Sequence, residues 1–122
     1  MSFMLALPKI SLHGEGAIQD LVGLLAQRAP GKALIVTDGQ LVDLGLLNGL
    51  FAALEAAALP YALFREVTPN PTSELVDAGY ACYQRHQCDY LIAFGGGSPI
   101  DTAKAISILT SNPGPATAYA GV

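Results

Sequence analysis

The feature that most constrains the fold is an alternation between short apolar runs and segments with helical spacing. The sequences KALIVTD (32–38), PYALFREV (60–67) and CDYLIAFGGGS (88–98) each contain an apolar run that gives way to polar residues or glycine. Such runs are typical of strands buried in a parallel sheet. Between them, apolar residues recur at spacings of three and four, as on one face of a helix. The alternation predicts an α/β protein.

The order of these segments also predicts the architecture. We expect helices over 44–58, from Thr72 onward and over 99–109, and at the front a strand and turn in PKISLHGEG (8–16) followed by a helix over 18–28. Strands that alternate with helices favour right-handed crossovers and helices on both faces of the sheet. The prediction is an open, mostly parallel, Rossmann-like sheet of about four strands or slightly more.

Composition excludes several classes of function. The chain has 122 residues, of which 52% are hydrophobic, enough for one domain with its own core. Six Lys and Arg residues stand against ten Asp and Glu and are scattered, so nucleic acid is not an expected partner. Cys82 and Cys88 lie six apart with no CxxC pair, which predicts reduced thiols.

Neither end of the chain has the pattern of a targeting or membrane segment. The first ten residues have no basic region, and their apolar run is broken at Pro8. Residues 105–122 carry no charge but include NPGP and several polar residues, which makes a poor membrane helix. We therefore expect a cytoplasmic protein without a membrane partner.

The glycine run GGGS (95–98) follows the third predicted central strand. In open parallel sheets ligands bind beyond the carboxyl ends of the strands, where Gly95, Gly96 and Gly97 lie. In SPID (98–101), Ser98 is predicted as the N-cap of the next helix and Asp101 as its capping-box partner. Glycines beside a helix N-terminus suit a phosphate or pyrophosphate. The run matches neither the P-loop nor GxGxxG, and a simple strand-to-helix turn is the alternative.

Two further residues belong to the same predicted edge. Asp38 ends the first central strand, where a carboxylate can accept hydrogen bonds from ribose hydroxyls and repel a 2′-phosphate; capping of the following helix is an equal alternative. Asn70 lies between prolines in TPNPT (68–72), either as a turn residue or as a ligand contact on a stiff loop. His13 and His86 have no partner at metal-ligand spacing, so we predict no metal ligand.

Three motifs in order carry a resemblance over 10–122: LIVTD (34–38), PNPT (69–72) and DYLIAFGGGSPIDTAKAI (89–106). Together they resemble the iron-containing (group III), metal-dependent alcohol dehydrogenase family, in particular its lactaldehyde reductase-like branch. The resemblance implies a nicotinamide dehydrogenase that acts on a small alcohol, aldehyde or ketone. Residues 1–122 would be the N-terminal dinucleotide-binding domain of a longer two-domain enzyme, inactive without the C-terminal helical domain.

The resemblance also implies roles for particular residues. Gly95, Gly96, Gly97 and Ser98 would hold the coenzyme pyrophosphate, and Asp101 would lie near the nicotinamide end. Asp38 would select NAD over NADP, and Asn70 is the asparagine of the family's PNP motif. Iron or zinc ligands would lie in the absent helical domain, so no catalytic residue is expected in this chain. A homodimer that pairs the strand around 9–13 with its neighbour is also implied.

Two other functions remain open on the sequence. One is a glycerol dehydrogenase-like enzyme of the same superfamily, which would match the PNPT and SPIDTAKAI motifs less fully. The other is a non-catalytic module that binds a nucleotide or a phosphosugar with the same glycine loop and helix terminus. Substrate identity does not follow from these residues.

Overall fold

The computed structural model describes residues 2–6, 11–15, 22–23, 25–27, 31–70 and 72–110. The strands are β1 (Ser2–Ala6), β2 (Ser11–Glu15), β3 (Ala33–Thr37), β4 (Tyr61–Phe64) and β5 (Tyr90–Phe94). The helices are α1, to which residues 22–23 and 25–27 belong, α2 (Gly39–Asp43), α3 (Asn48–Ala56), α4 (Ser73–Arg85) and α5 (Gly97–Thr110). None of these described helices is long and apolar enough to cross a membrane.

The five strands form one sheet in the order β2-β1-β5-β3-β4. β3 pairs in parallel with β4 on one side and with β5 on the other. β1 pairs antiparallel with both β5 and β2, so these first two strands extend the parallel part of the sheet as a hairpin. The predicted α/β fold is confirmed. Strand β1, which the sequence analysis did not predict, lies inside the sheet.

Helices cover both faces of the sheet. One core packs α4 and α5 against alternate residues of the parallel strands, and the other packs α1 and α3 against the residues between them. All five residues of β3 and all five of β5 are buried, which explains their continuous apolar sequences. The covering on both faces therefore agrees with the prediction.

The single helix predicted over 44–58 is wrong. The chain instead forms α2, a turn over 44–47, and α3. Gly45 adopts a φ of +78°, which an L-residue rarely adopts and which breaks a continuous helix. The break lets Leu47 bury completely in the core beside α3. Helical spacing in the sequence continued through this break and did not reveal it.

Candidate functional site

The candidate site lies where the strand order reverses, between β3 and β5. From β3 the chain passes through α2 and α3 to β4 on one side, and from β4 it returns through α4 to β5 on the other side of β3. The carboxyl ends of β3 and β5 are adjacent, and the Thr37 hydroxyl donates a buried hydrogen bond of 2.8 Å to the Phe94 carbonyl oxygen. Crevices at such reversals are where open α/β sheets bind ligands.

A cleft of about 240 Å³ opens at this point, and we call it the glycine cleft. Its lining residues come from the ends of β3 and β5, from α2, from the start of α5 and from the loop after β4: Asp38, Leu41, Pro69, Gly96, Gly97, Ser98 and Pro99. Four of the predicted site residues, Asp38, Gly96, Gly97 and Ser98, are thus brought to one cleft although the chain separates Asp38 from the others.

The three consecutive glycines are suited to their positions for different structural reasons. Gly95 adopts a φ of +132°, and a Cβ there would lie 2.9 Å from Leu41 Cδ1 and 3.0 Å from Pro99 Cγ. A Cβ on Gly96 or Gly97 would meet no described atom within 4 Å beyond its chain neighbours. Gly95 is therefore required by the backbone, whereas Gly96 and Gly97 leave space in the cleft that a side chain would occupy. That space is what close approach of a ligand to the backbone requires.

The predicted cap of α5 is wrong in detail. The helix begins at Gly97, so Ser98 lies within it, and the Ser98 hydroxyl donates to the Pro69 carbonyl oxygen at 3.1 Å. Asp101 is exposed in the second turn and does not complete a capping box. α5 nevertheless has 14 residues and presents its N-terminus to the glycine cleft. The unpaired N–H groups and dipole of a helix start favour an anion there.

Asp38 has both of the placements that the sequence left open. It is the N-cap of α2, and its Oδ1 accepts a hydrogen bond of 2.6 Å from the Gln40 N–H. The same residue lines the glycine cleft. Capping is therefore confirmed, and a role toward a ribose stays a prediction that the position allows, because the second carboxylate oxygen is not used by the cap.

Three predicted site residues lie outside the lining of the glycine cleft, and one of them is Gly95, at the turn just before it. Asn70 is exposed beside Pro69, and Asp101 is exposed on α5. Conversely, Leu41 and Pro69 line the cleft and were not predicted. Pro69 belonged to a motif that the sequence made visible, but no local pattern indicated that its carbonyl oxygen would accept from Ser98, 29 residues later.

The described part of the chain offers no group of three or more His, Cys, Asp or Glu side chains that could hold a metal ion. His86 is the C-cap residue of α4, at the sheet edge opposite the glycine cleft. His13 lies in β2. The described residues therefore do not fit iron or zinc.

The two cysteines are free and buried. Burial is the main reason that the pKa of the Cys88 thiol is raised from 9.0 to about 11. Its Sγ lies 3.6 Å from the Ala33 carbonyl oxygen, near the amino ends of the strands. A protonated thiol is a poor nucleophile, so Cys88 belongs to the core rather than to a reactive site.

The chain matches the family model of iron-containing alcohol dehydrogenase over residues 8–122. It is 42% identical over 113 residues to lactaldehyde reductase of Escherichia coli strain K12, which covers 93% of this chain and 30% of that protein. The chain spans about 30% of the length of the curated relatives it matches.

Two solved structures have the same fold over most of the described chain. The fold resembles 1,3-propanediol oxidoreductase with a TM-score of 0.73 and 36% identity, over 80% of this chain and 25% of that one. It also resembles sulfoacetaldehyde reductase from Bifidobacterium kashiwanohense in complex with NAD+, with a TM-score of 0.69 and 28% identity, over 80% and 26%. Because the family model matches residues 8–122 of its 122 residues, the chain belongs to the iron-containing alcohol dehydrogenase family.

Proposed function

We propose that residues 1–122 form the coenzyme-binding domain of an NAD-dependent oxidoreductase that interconverts a small alcohol and an aldehyde or ketone. The observation that carries the proposal is the glycine cleft, in which Gly96 and Gly97 leave open space at the N-terminus of α5. A relative of the same fold, sulfoacetaldehyde reductase, was solved in complex with NAD+.

In this proposal the pyrophosphate lies against the first turn of α5. Pro99 has no N–H, so the backbone donors available at this end are those around Gly96, Gly97 and Ser98. Backbone N–H groups at a helix start bind phosphate oxygens without a charged side chain. The described residues that line the cleft accordingly include no Lys or Arg.

The adenosine ribose lies at the end of β3 in the same proposal. Asp38 is partly exposed there, with one carboxylate oxygen held by the Gln40 N–H and the other available to ribose hydroxyls. A carboxylate at this place disfavours the 2′-phosphate of NADP. We propose that Asn70 and Asp101, next to the lining, contact the coenzyme only once it is bound.

The remaining steps belong to the whole enzyme. The bound nicotinamide ring supplies the hydride chemistry. We propose that the iron or zinc ligands and the alcohol pocket lie outside residues 1–122, that the enzyme is cytoplasmic, and that it forms a homodimer. β2 supports the last proposal because it is an edge strand of the sheet, and no other described strand pairs with its outer side.

The test is calorimetric titration of the 122-residue chain with NAD and with NADP. We expect saturable NAD binding, its loss in Gly96→Val, and a gain of NADP binding in Asp38→Asn, which keeps the cap because Asn also caps helices well. A folded chain that binds NAD equally well with valine at position 96 would contradict the cleft assignment. Turnover of small aldehydes by this chain with added metal and NADH would contradict our proposal that it is inactive alone.

A further inference from the structure

Arg65, directly after β4, contacts the turn that follows β3. Its Nη2 donates to the Gly39 carbonyl oxygen at 3.1 Å and to Asp43 Oδ1 at 2.7 Å. The side chains of Arg65 and Asp43 are 42% and 70% exposed. Their ion pair joins the end of β4 to the last residue of α2.

Arg65 immediately precedes Glu66, the residue whose backbone pairs with that of Asp38. The backbones of Asp38 and Glu66 form an isolated antiparallel bridge, and the Val67 N–H donates to the Thr37 carbonyl oxygen at 3.3 Å. A Cβ placed on Gly39 would lie 3.2 Å from the Arg65 Nη2. The guanidinium therefore packs against the residue that immediately follows the carboxylate proposed to meet the ribose.

We propose that Arg65 and Asp43 are specificity-determining residues for the choice between NAD and NADP, an inference that rests on the NAD site proposed above. The planar guanidinium binds phosphate oxygens in pairs and is the side chain best suited to a 2′-phosphate. In the present arrangement its Nη2 donates to both Asp43 and the Gly39 carbonyl oxygen. Asp38 thus repels a 2′-phosphate, and Asp43 pairs with Arg65, the nearby cation that would otherwise bind that phosphate.

The exposure of these side chains makes the inference testable without loss of the fold. Partly exposed ion pairs contribute little to stability, so changing Asp43 or Arg65 leaves the core intact. Asp43 is also the last residue of α2, where a negative charge is unfavourable to the helix dipole, and Asn is well tolerated. The charges can therefore be changed one at a time.

The experiment measures the ratio of the NADP and NAD dissociation constants by calorimetry in three variants. Asp38→Asn is the starting variant, Asp38→Asn with Asp43→Asn removes the carboxylate charge that pairs with Arg65, and Arg65→Gln added to both removes the cation. We expect the ratio of dissociation constants to shift toward NADP by about fivefold from the first variant to the second, because one solvent-screened charge contact is gained. The third variant should lose that gain. Arg85→Gln, at the opposite edge of the sheet, is the matched control for net charge.

Each outcome is decisive. A ratio that does not respond to Arg65→Gln, while NAD still binds, overturns the assignment of Arg65 and Asp43 alone. Equally weaker binding of NAD and NADP, together with a lower unfolding temperature, would show that Arg65 and Asp43 have a merely structural role and would overturn their assignment as well. Absence of NAD binding by the unmodified folded chain overturns the proposed function, and this inference with it.

Discussion

The hydroxyl of Ser98 donates a hydrogen bond to the carbonyl oxygen of Pro69 across 3.1 Å, joining the start of α5 to the loop after β4. A serine hydroxyl has one proton to donate, and here that proton is used within the protein. Ser98 therefore positions one wall of the glycine cleft against the other, and the donors left for a pyrophosphate are backbone N–H groups.

Ser98→Ala removes this connection between the two walls. We expect a loss of about 1 kcal/mol in the free energy of unfolding and a several-fold weaker NAD affinity, because the Pro69 loop is no longer held. Thr110→Val is the control, since the Thr110 hydroxyl bonds the Ser107 carbonyl at the far end of the same helix. Calorimetry and urea unfolding check both; unchanged NAD affinity in Ser98→Ala would contradict the positioning role.

Neighbouring glycines should respond oppositely to substitution. Gly95→Ala forces a Cβ against Leu41 and Pro99 at a φ of +132°, and we expect it to cost about 2 kcal/mol of stability. Gly96→Ala and Gly96→Val meet no such obstacle, so they should keep the unfolding midpoint and weaken NAD binding in order of side-chain size. Thermal unfolding and NAD titration of the three variants separate the two effects. A large stability loss at Gly96 would refute this division of roles.

Tyr90→Phe should stabilise the chain. The Tyr90 ring is 1% exposed in the core, and its hydroxyl has no hydrogen-bond partner among the described residues. Removing a buried, unsatisfied hydroxyl while keeping the ring should raise the free energy of unfolding by about 1 kcal/mol. Urea unfolding at neutral pH measures the change, with Tyr83→Phe as the control on a half-buried tyrosine. Destabilisation by Tyr90→Phe would mean that the hydroxyl is satisfied.

Stability should fall on the alkaline side. Burial is the main cause that raises the pKa of Cys88 from 9.0 to about 11 and the pKa of Tyr90 from 10.0 to about 12. The folded state holds these protons more tightly than the unfolded state, so their contribution is complete below about pH 9 and is lost as pH rises toward about 12.

Urea unfolding at a series of pH values checks this prediction. The slope against pH should be shallower in Cys88→Ala and in Tyr90→Phe than in the unmodified chain, whatever the effect of each variant at neutral pH. A free energy of unfolding that stays constant through this range would show that neither buried group is linked to folding.

Much of the fold was predictable because its signals are local. The runs at 32–38, 60–67 and 88–98 contain β3, β4 and β5, since buried parallel strands need continuous apolar sequence. The helix predicted from Thr72 onward is α4, in which Thr72 is the N-cap and its hydroxyl accepts a hydrogen bond from the Leu75 N–H. The break between α2 and α3 was missed because Gly45 interrupts the helix without interrupting the apolar spacing.

Some features of the candidate site could likewise be predicted from the sequence, and others could not. The sequence by itself determined that Asp38 and the glycine run follow buried strands, because each lies directly after an apolar segment. Only the tertiary structure decided that β3 and β5 are neighbours, that the Ser98 hydroxyl reaches Pro69, and that Arg65 reaches Asp43. These contacts join residues 22 to 57 positions apart, and the crossovers that bring them together leave no periodic or composition signal at the residues themselves.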